Sequence, residues 1–226
     1  MTAGKRSLRQ TCGVVRKWTV VIPVKRLGAA KTRLRGAVPA DRHPDLALAM
    51  VRDTVAAVLE TPSVAGVVVV TDDPAVAASV RKLGAHVAPD PGGGLNAAMR
   101  FGADDVAGAA GYRAVLTGDL PALRPDQLDE ALSRVAGRSF VPDADGTGTV
   151  LLAVPPGEPL RPLFGPQSAQ AHAGSGAVPL AGDWPGLRQD VDTAADLGTV
   201  LGLGAGHRTC ALLRDLGLTA ECAPAA

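Results

Sequence analysis

The spacing of apolar positions changes along the chain in a way that predicts its class of fold. Trp18–Val24 is a short run rich in β-branched residues, with Pro23 near its end, and reads as a buried strand. Over Asp45–Glu60 the positions Leu48, Val51, Val55 and Val58 recur at the spacing of one helix face. Gly66–Val70 contains the unbroken run Val67–Val70, which fits a strand covered on both faces. The alternation continues with a helix over Pro74–Leu83, ended by Gly84, and a strand over His86–Ala88. A helix over Asn96–Val106, a strand over Ala114–Thr117 and a helix over Asp126–Val135 follow. Strands joined by helices of this length need right-handed crossovers, which lay helices on both sides of the sheet. The expectation is an α/β three-layer sandwich with a mostly parallel central sheet.

From Ser139 the pattern changes. Ser139–Val141 and Thr149–Val154 flank the polar turn Pro142–Gly148 and predict a hairpin. Pro155–Pro166 has no clear period, and Ala194–Leu201 reads as the last helix. The chain has 226 residues, enough for one large domain. Residues 18–201 are assigned to it. Residues 1–17 read as a disordered basic extension without the apolar run of a signal peptide. The Gly- and Ala-rich stretch 202–226 reads as a C-terminal tail of unassigned structure.

Charge narrows the range of partners. Lys and Arg total 23 against 22 Asp and Glu, and aromatic residues are only 3%. Neither a global basic field nor a set of base-stacking rings is on offer, so nucleic acid and membrane surfaces are disfavoured as partners. No window reaches transmembrane length. Cys12, Cys210 and Cys222 are scattered and odd in number, which predicts reduced thiols in a cytoplasmic protein.

Ligands of open α/β sheets gather where strands end. After the first strand comes a loop carrying Lys25, Arg26, Lys31 and Arg33. It can neutralise a polyphosphate or simply be a solvated basic loop, and it lacks the glycines of a Walker loop. After the third strand, Gly92-Gly93-Gly94-Leu95-Asn96 allows close backbone approach to a nucleotide, with Asn96 able to read a base edge. A flexible turn would look the same. Asp119, held between Gly118 and the Leu120-Pro121 pair, ends the fourth strand and suits a hard cation. In an extended stretch Asp190 and Asp192 share a face, which favours a cation between them, although Asp192 or Thr193 could instead cap the next helix. Gly202–Gly206 imitates a dinucleotide fingerprint but follows a helix, not a strand. The four histidines show no ligand spacing, and only His172 falls near a suspected site.

The segments Ile22–Leu34, Gly93–Met99, Leu116–Leu123, Asp145–Leu152, Phe164–His172 and Arg188–Leu197, in that order, resemble the 2-phospho-L-lactate and phosphoenolpyruvate guanylyltransferases of coenzyme F-420 biosynthesis. The resemblance implies a nucleotide-diphospho-sugar-transferase-like fold. It implies transfer of GMP from GTP to a small phosphorylated acid, with Mg²⁺ on Asp119, Asp190 and Asp192. Contacts to the acid fall on Thr149, Gly165 and Ser168. Lys25 and Lys31, with Asp119, are the expected catalytic groups, and Lys25, Lys31, Arg33, Gly93, Gly94 and Asn96 the expected nucleotide contacts. A homodimer, and hand-off of the product to a downstream deazaflavin transferase, belong to the same expectation.

Overall fold

A computed structural model describes residues 16–29 and 38–218. Strands β1 (Trp18–Pro23), β2 (Val64–Val70), β3 (His86–Ala88), β4 (Tyr112–Leu116), β5 (Ser139–Pro142), β6 (Thr149–Val154) and β7 (Val178–Pro179) form one seven-stranded sheet. Its order is β3-β2-β1-β4-β6-β5-β7. The strands β1 to β4 pair in parallel. The predicted hairpin supplies the one reversed strand, since β6 runs antiparallel to both β4 and β5.

Helices α1 (His43–Glu60), α2 (Pro74–Leu83) and α4 (Pro125–Ser133) cover one face. There Val20 and Ile22 of β1 meet Val51 and Val55 of α1, Val76 of α2 and Leu128 of α4. Val21 points the other way, into a cluster with Val70, Met99, Ala103, Phe140 and Leu152. Consecutive residues of a central strand are thus both buried, which is why these strands read as continuous apolar runs.

The expected helix Asn96–Val106 is divided. An α-helix, α3 (Leu95–Arg100), passes into a π-helical turn at Phe101–Val106. Gly102 lies in that turn against the sheet, where a Cβ would stand 2.4 Å from Val21 Cγ1 and 2.8 Å from Val70 Cγ2. Among the elements that escaped the periodicity are α5 (Ser168–Gly174), β7 and α6 (Pro185–Arg188).

Residues 202–218, left unassigned by the sequence pattern, are largely helical. Helices α7 (Ala194–Leu203) and α8 (His207–Asp215) pack Leu197, Val200 and Leu213 against Leu46 and Met50 on the outer side of α1. Helix α8 begins at Gly206 without a side-chain cap of its own. The buried carboxylate of Asp53, on α1, provides it. Asp53 accepts hydrogen bonds from Thr209 N and Oγ1, both at 2.8 Å, and pairs with Arg208 at 3.2 Å. Asp53→Ala should therefore cost about 3 kcal/mol, because it strands a helix terminus and a partly buried guanidinium. A urea midpoint equal to that of the parent chain would refute this. Cys210, also on α8, is disulfide-bonded, so the expectation of reduced thiols fails at that residue. Among the described residues no helix is long and apolar enough to cross a membrane.

Candidate active site

Above the carboxyl ends of β1 and β4 lies a cleft of about 390 Å³, lined by Lys25, Met50, Leu95, Thr117, Asp119, Asp190 and Asp192. A wider chamber of about 770 Å³ adjoins it, lined by Thr149, Gly165 and Ser168. Leu95, Thr117, Asp190 and Asp192 border both spaces. The two are halves of one trough, with Asp190 and Asp192 at their junction and Asp119 on the cleft side.

Asp119 is placed by its neighbours on the β4 exit. Thr54 of α1 accepts the Leu120 N–H at 3.1 Å while donating to the Met50 carbonyl at 2.9 Å. Asp190 and Asp192 reach the same spot by a separate route. The amide of Val191, a fully buried residue, donates to the Asp119 carbonyl at 3.2 Å, so the residues on either side are carried alongside Asp119. Upstream, the Leu187 N–H donates to Gln127 Oε1 at 3.1 Å, and Arg188 Nη2 donates to the Asp143 carbonyl at 2.8 Å. The capping alternative is settled as well. Thr193 caps α7 in a capping box with Asp196, so neither Asp190 nor Asp192 is needed for that purpose.

On the side of β1, Val24 continues the sheet by donating to the Val70 carbonyl at 2.9 Å, and the exposed Lys25 follows at the cleft wall. The Leu27 N–H donates to Asp73 Oδ2 at 2.9 Å. Burial alone would raise the Asp73 pKa. The amides of Leu27, Val76 and Ala75, helped by Arg26, outweigh burial and hold the carboxyl below its usual range. Lys31 and Arg33 lie outside the described residues.

The glycine loop and Asn96 flank Leu95, which lines both chambers. Gly93 and Gly94 take φ values of 79° and 89°, which an L side chain resists, yet they sit beside the trough and Leu95 lines it instead. Asn96 was expected to read a base. Its Nδ2 donates to the Phe164 carbonyl at 2.9 Å and its Oδ1 accepts the Phe164 N–H at 2.8 Å. The amide is engaged on both sides by the irregular 155–166 segment, whose backbone groups need partners once buried.

In the wider chamber, Thr149 and Ser168 are buried, and Gly165 has φ 145°. The amides that open α5 are already used: Ser168 donates to the Gly165 carbonyl and Ala169 to the Thr147 carbonyl, each at 3.1 Å. The side-chain hydroxyls of Thr149 and Ser168 belong to residues that line the same chamber. Behind them sits His172, fully buried between the rings of Phe140 and Phe164. Burial, and next the charge of Arg138, bring its pKa down to about 4 from an ordinary 6.5. Between those values the unfolded chain binds a proton that the folded chain does not, so this stability is complete above 6.5 and is lost as pH falls towards 4. Unfolding midpoints of the parent chain should fall more steeply across that window than those of His172→Phe, and parallel curves would refute the assignment.

The donor set at the junction is composed of carboxylate oxygens, the ligands hard cations prefer. Among the described residues no three His, Cys, Asp or Glu side chains form a ready-made cage. This is compatible with Mg²⁺, which binds through one or two carboxylates together with substrate phosphates and retains waters. The residues therefore fit such an ion when substrate is present.

Similarity to known proteins agrees with this geometry. Residues 47–178 match the MobA-like NTP transferase domain. The chain is 60% identical over 200 residues to a phosphoenolpyruvate guanylyltransferase of Salinispora arenicola, covering 86% of this chain and 92% of that one. It is 55% identical over 207 residues to the protein of the same name from Geodermatophilus obscurus, covering 88% and 95%. Among solved structures, one described as a nucleotide-diphospho-sugar transferase of Desulfovibrio desulfuricans shares the fold. The TM-score is 0.65 at 17% identity, covering 89% of this chain and 96% of that one. The chain thus belongs to the MobA-like NTP transferases, and within them to the family of phosphoenolpyruvate guanylyltransferases.

Proposed function

We propose that the trough joins GTP to phosphoenolpyruvate, or to 2-phospho-L-lactate, with release of diphosphate, as a step of coenzyme F-420 biosynthesis. The observation that carries this reading is the position of Asp119, Asp190 and Asp192. Asp190 and Asp192 border both chambers and Asp119 lines the cleft beside them, where a donor's α-phosphate and an acceptor's phosphate would have to meet. The β1 side, with Lys25, takes the triphosphate, and the side with Thr149, Gly165 and Ser168 takes the acid. Phosphoenolpyruvate is preferred because the similar proteins of Salinispora and Geodermatophilus carry its name.

In this reading an oxygen of the acceptor phosphate attacks the α-phosphorus. A new P–O bond forms, the bond to the β-phosphate bridging oxygen breaks, and the electron pair leaves with diphosphate. A phosphate monoester has a second pKa of about 6, so the nucleophile is already ionised at neutral pH and no general base is required. That suits a site whose nearest histidine is buried and neutral. What the site must overcome is repulsion between anions. Mg²⁺ held by one or two of Asp119, Asp190 and Asp192, together with the substrate phosphates and water, would offset it by sharing the phosphate charge. Lys25 and the walls of the trough hold the two substrates in line, so that positioning and electrostatics supply the rate.

The test is diphosphate release by the full chain with GTP and Mg²⁺, with phosphoenolpyruvate, with 2-phospholactate and with neither acid. Release that depends on an acid is expected. Tight GTP binding without diphosphate from either acid would overturn the assignment and leave a nucleotide-binding protein.

A further inference from the structure

Two hydrogen bonds fix the protonation of His172. The backbone N–H of Leu163 can only donate, and it points at His172 Nε2 over 2.9 Å. Nε2 is therefore the bare nitrogen, and a neutral imidazole must carry its proton on Nδ1. Nδ1 lies 2.9 Å from Thr149 Oγ1, so the ring donates and the hydroxyl accepts. The Thr149 proton is consequently turned away from His172. Among the described residues no protein group takes it, while Thr149 lines the acceptor chamber beside Gly165 and Ser168.

We propose that His172 is a positioning residue for the acceptor: its Nδ1–H compels the Thr149 hydroxyl to donate to an anionic oxygen of the bound acid. The arrangement also explains a preference for anions. A hydroxyl that has used an acceptor lone pair on His172 has a donor to offer, and a neighbouring oxyanion is a strong partner for it. The neutral imidazole, between two phenyl rings, is held in the one tautomer that serves this purpose. Through the Leu163 amide the same ring steadies the stretch leading to Gly165. The inference rests on the acid occupying the chamber as proposed above.

Kinetics separate the two ideas. Thr149→Val should raise KM for phosphoenolpyruvate about tenfold or more, as expected for a lost hydrogen bond to an anion. His172→Gln keeps an acceptor for Leu163 but has no donor at the Nδ1 position, and should raise the same KM about threefold to tenfold. KM for GTP and kcat at saturating acid should stay within about twofold in both. The double variant should be no worse than Thr149→Val, because both changes act through one proton. Effects that multiply, or an equal rise in KM for GTP, would overturn the proposal.

A chain that makes no diphosphate with either acid would instead defeat the proposed function, and the same non-additivity would then be sought in direct titrations of phosphoenolpyruvate. Whether or not a variant folds, nitrogen-15 spectra of the parent chain must show a protonated Nδ1 and a bare Nε2. The reverse tautomer would end the proposal.

Discussion

Asp119→Asn should lower turnover by on the order of 10²-fold or more, the size of effect seen when a group stabilising transition-state charge is lost. The change is nearly isosteric, so it tests charge alone. Two anions must approach each other at the trough junction, and Asp119 lines the cleft just past the end of β4, beside Asp190 and Asp192. Its backbone is fixed independently of its carboxylate, by Thr54 through Leu120 and by the Val191 amide. The variant should fold normally and show an unfolding midpoint close to that of the parent chain. Diphosphate release would be followed across a range of Mg²⁺ concentrations. If Asp119 helps to hold the ion, part of the loss should be recovered at high Mg²⁺. Near-normal turnover at moderate Mg²⁺ would remove Asp119 from the reacting centre.

The sheet and its helices could be read from the sequence because their signals are local. Val67–Val70 and the face of α1 announce themselves within a few residues. Asp119 stood out by its place after a strand, and Asp190 and Asp192 by their two-residue spacing. What could not be read depends on contacts between distant segments. Nothing near Asn96 reveals that its amide will pair with the backbone of Phe164. Helix α8 was obscured because Gly206 carries no cap, and the group that replaces it, Asp53, lies in the middle of another helix. Thr54, a single hydroxyl within α1, gives no hint that it braces the loop of a catalytic candidate. His172 lay inside a recognised segment, yet its importance comes from Leu163 and Thr149 approaching the ring from two directions.

Gly186→Ala should be nearly as damaging to turnover as Asp119→Asn, although Gly186 is not among the residues lining either chamber of the trough. The glycine follows Pro185 in the first turn of α6, and a Cβ there would stand 2.1 Å from the Ala122 carbonyl oxygen and 3.0 Å from its carbon. Those atoms are backbone and cannot swing aside, so α6 or the loop that follows Asp119 must move. Both consequences fall on the same geometry. The segment from α6 to Val191 brings Asp190 and Asp192 to Asp119, with Leu187 tied to Gln127 and Val191 tied to the Asp119 carbonyl. Overpacking of this kind costs about 1–3 kcal/mol of stability. A displacement of ~1 Å between reacting groups can cost on the order of 10²-fold in rate. The expected phenotype is a folded chain with a moderately lowered urea midpoint, little change in KM for GTP and a large fall in kcat. A variant with parental kcat would show that the carboxylate pair can follow Asp119 without a rigid connection through Gly186. The catalytic geometry would then be set by the substrates, with the ion they bring, more than by the packing of α6.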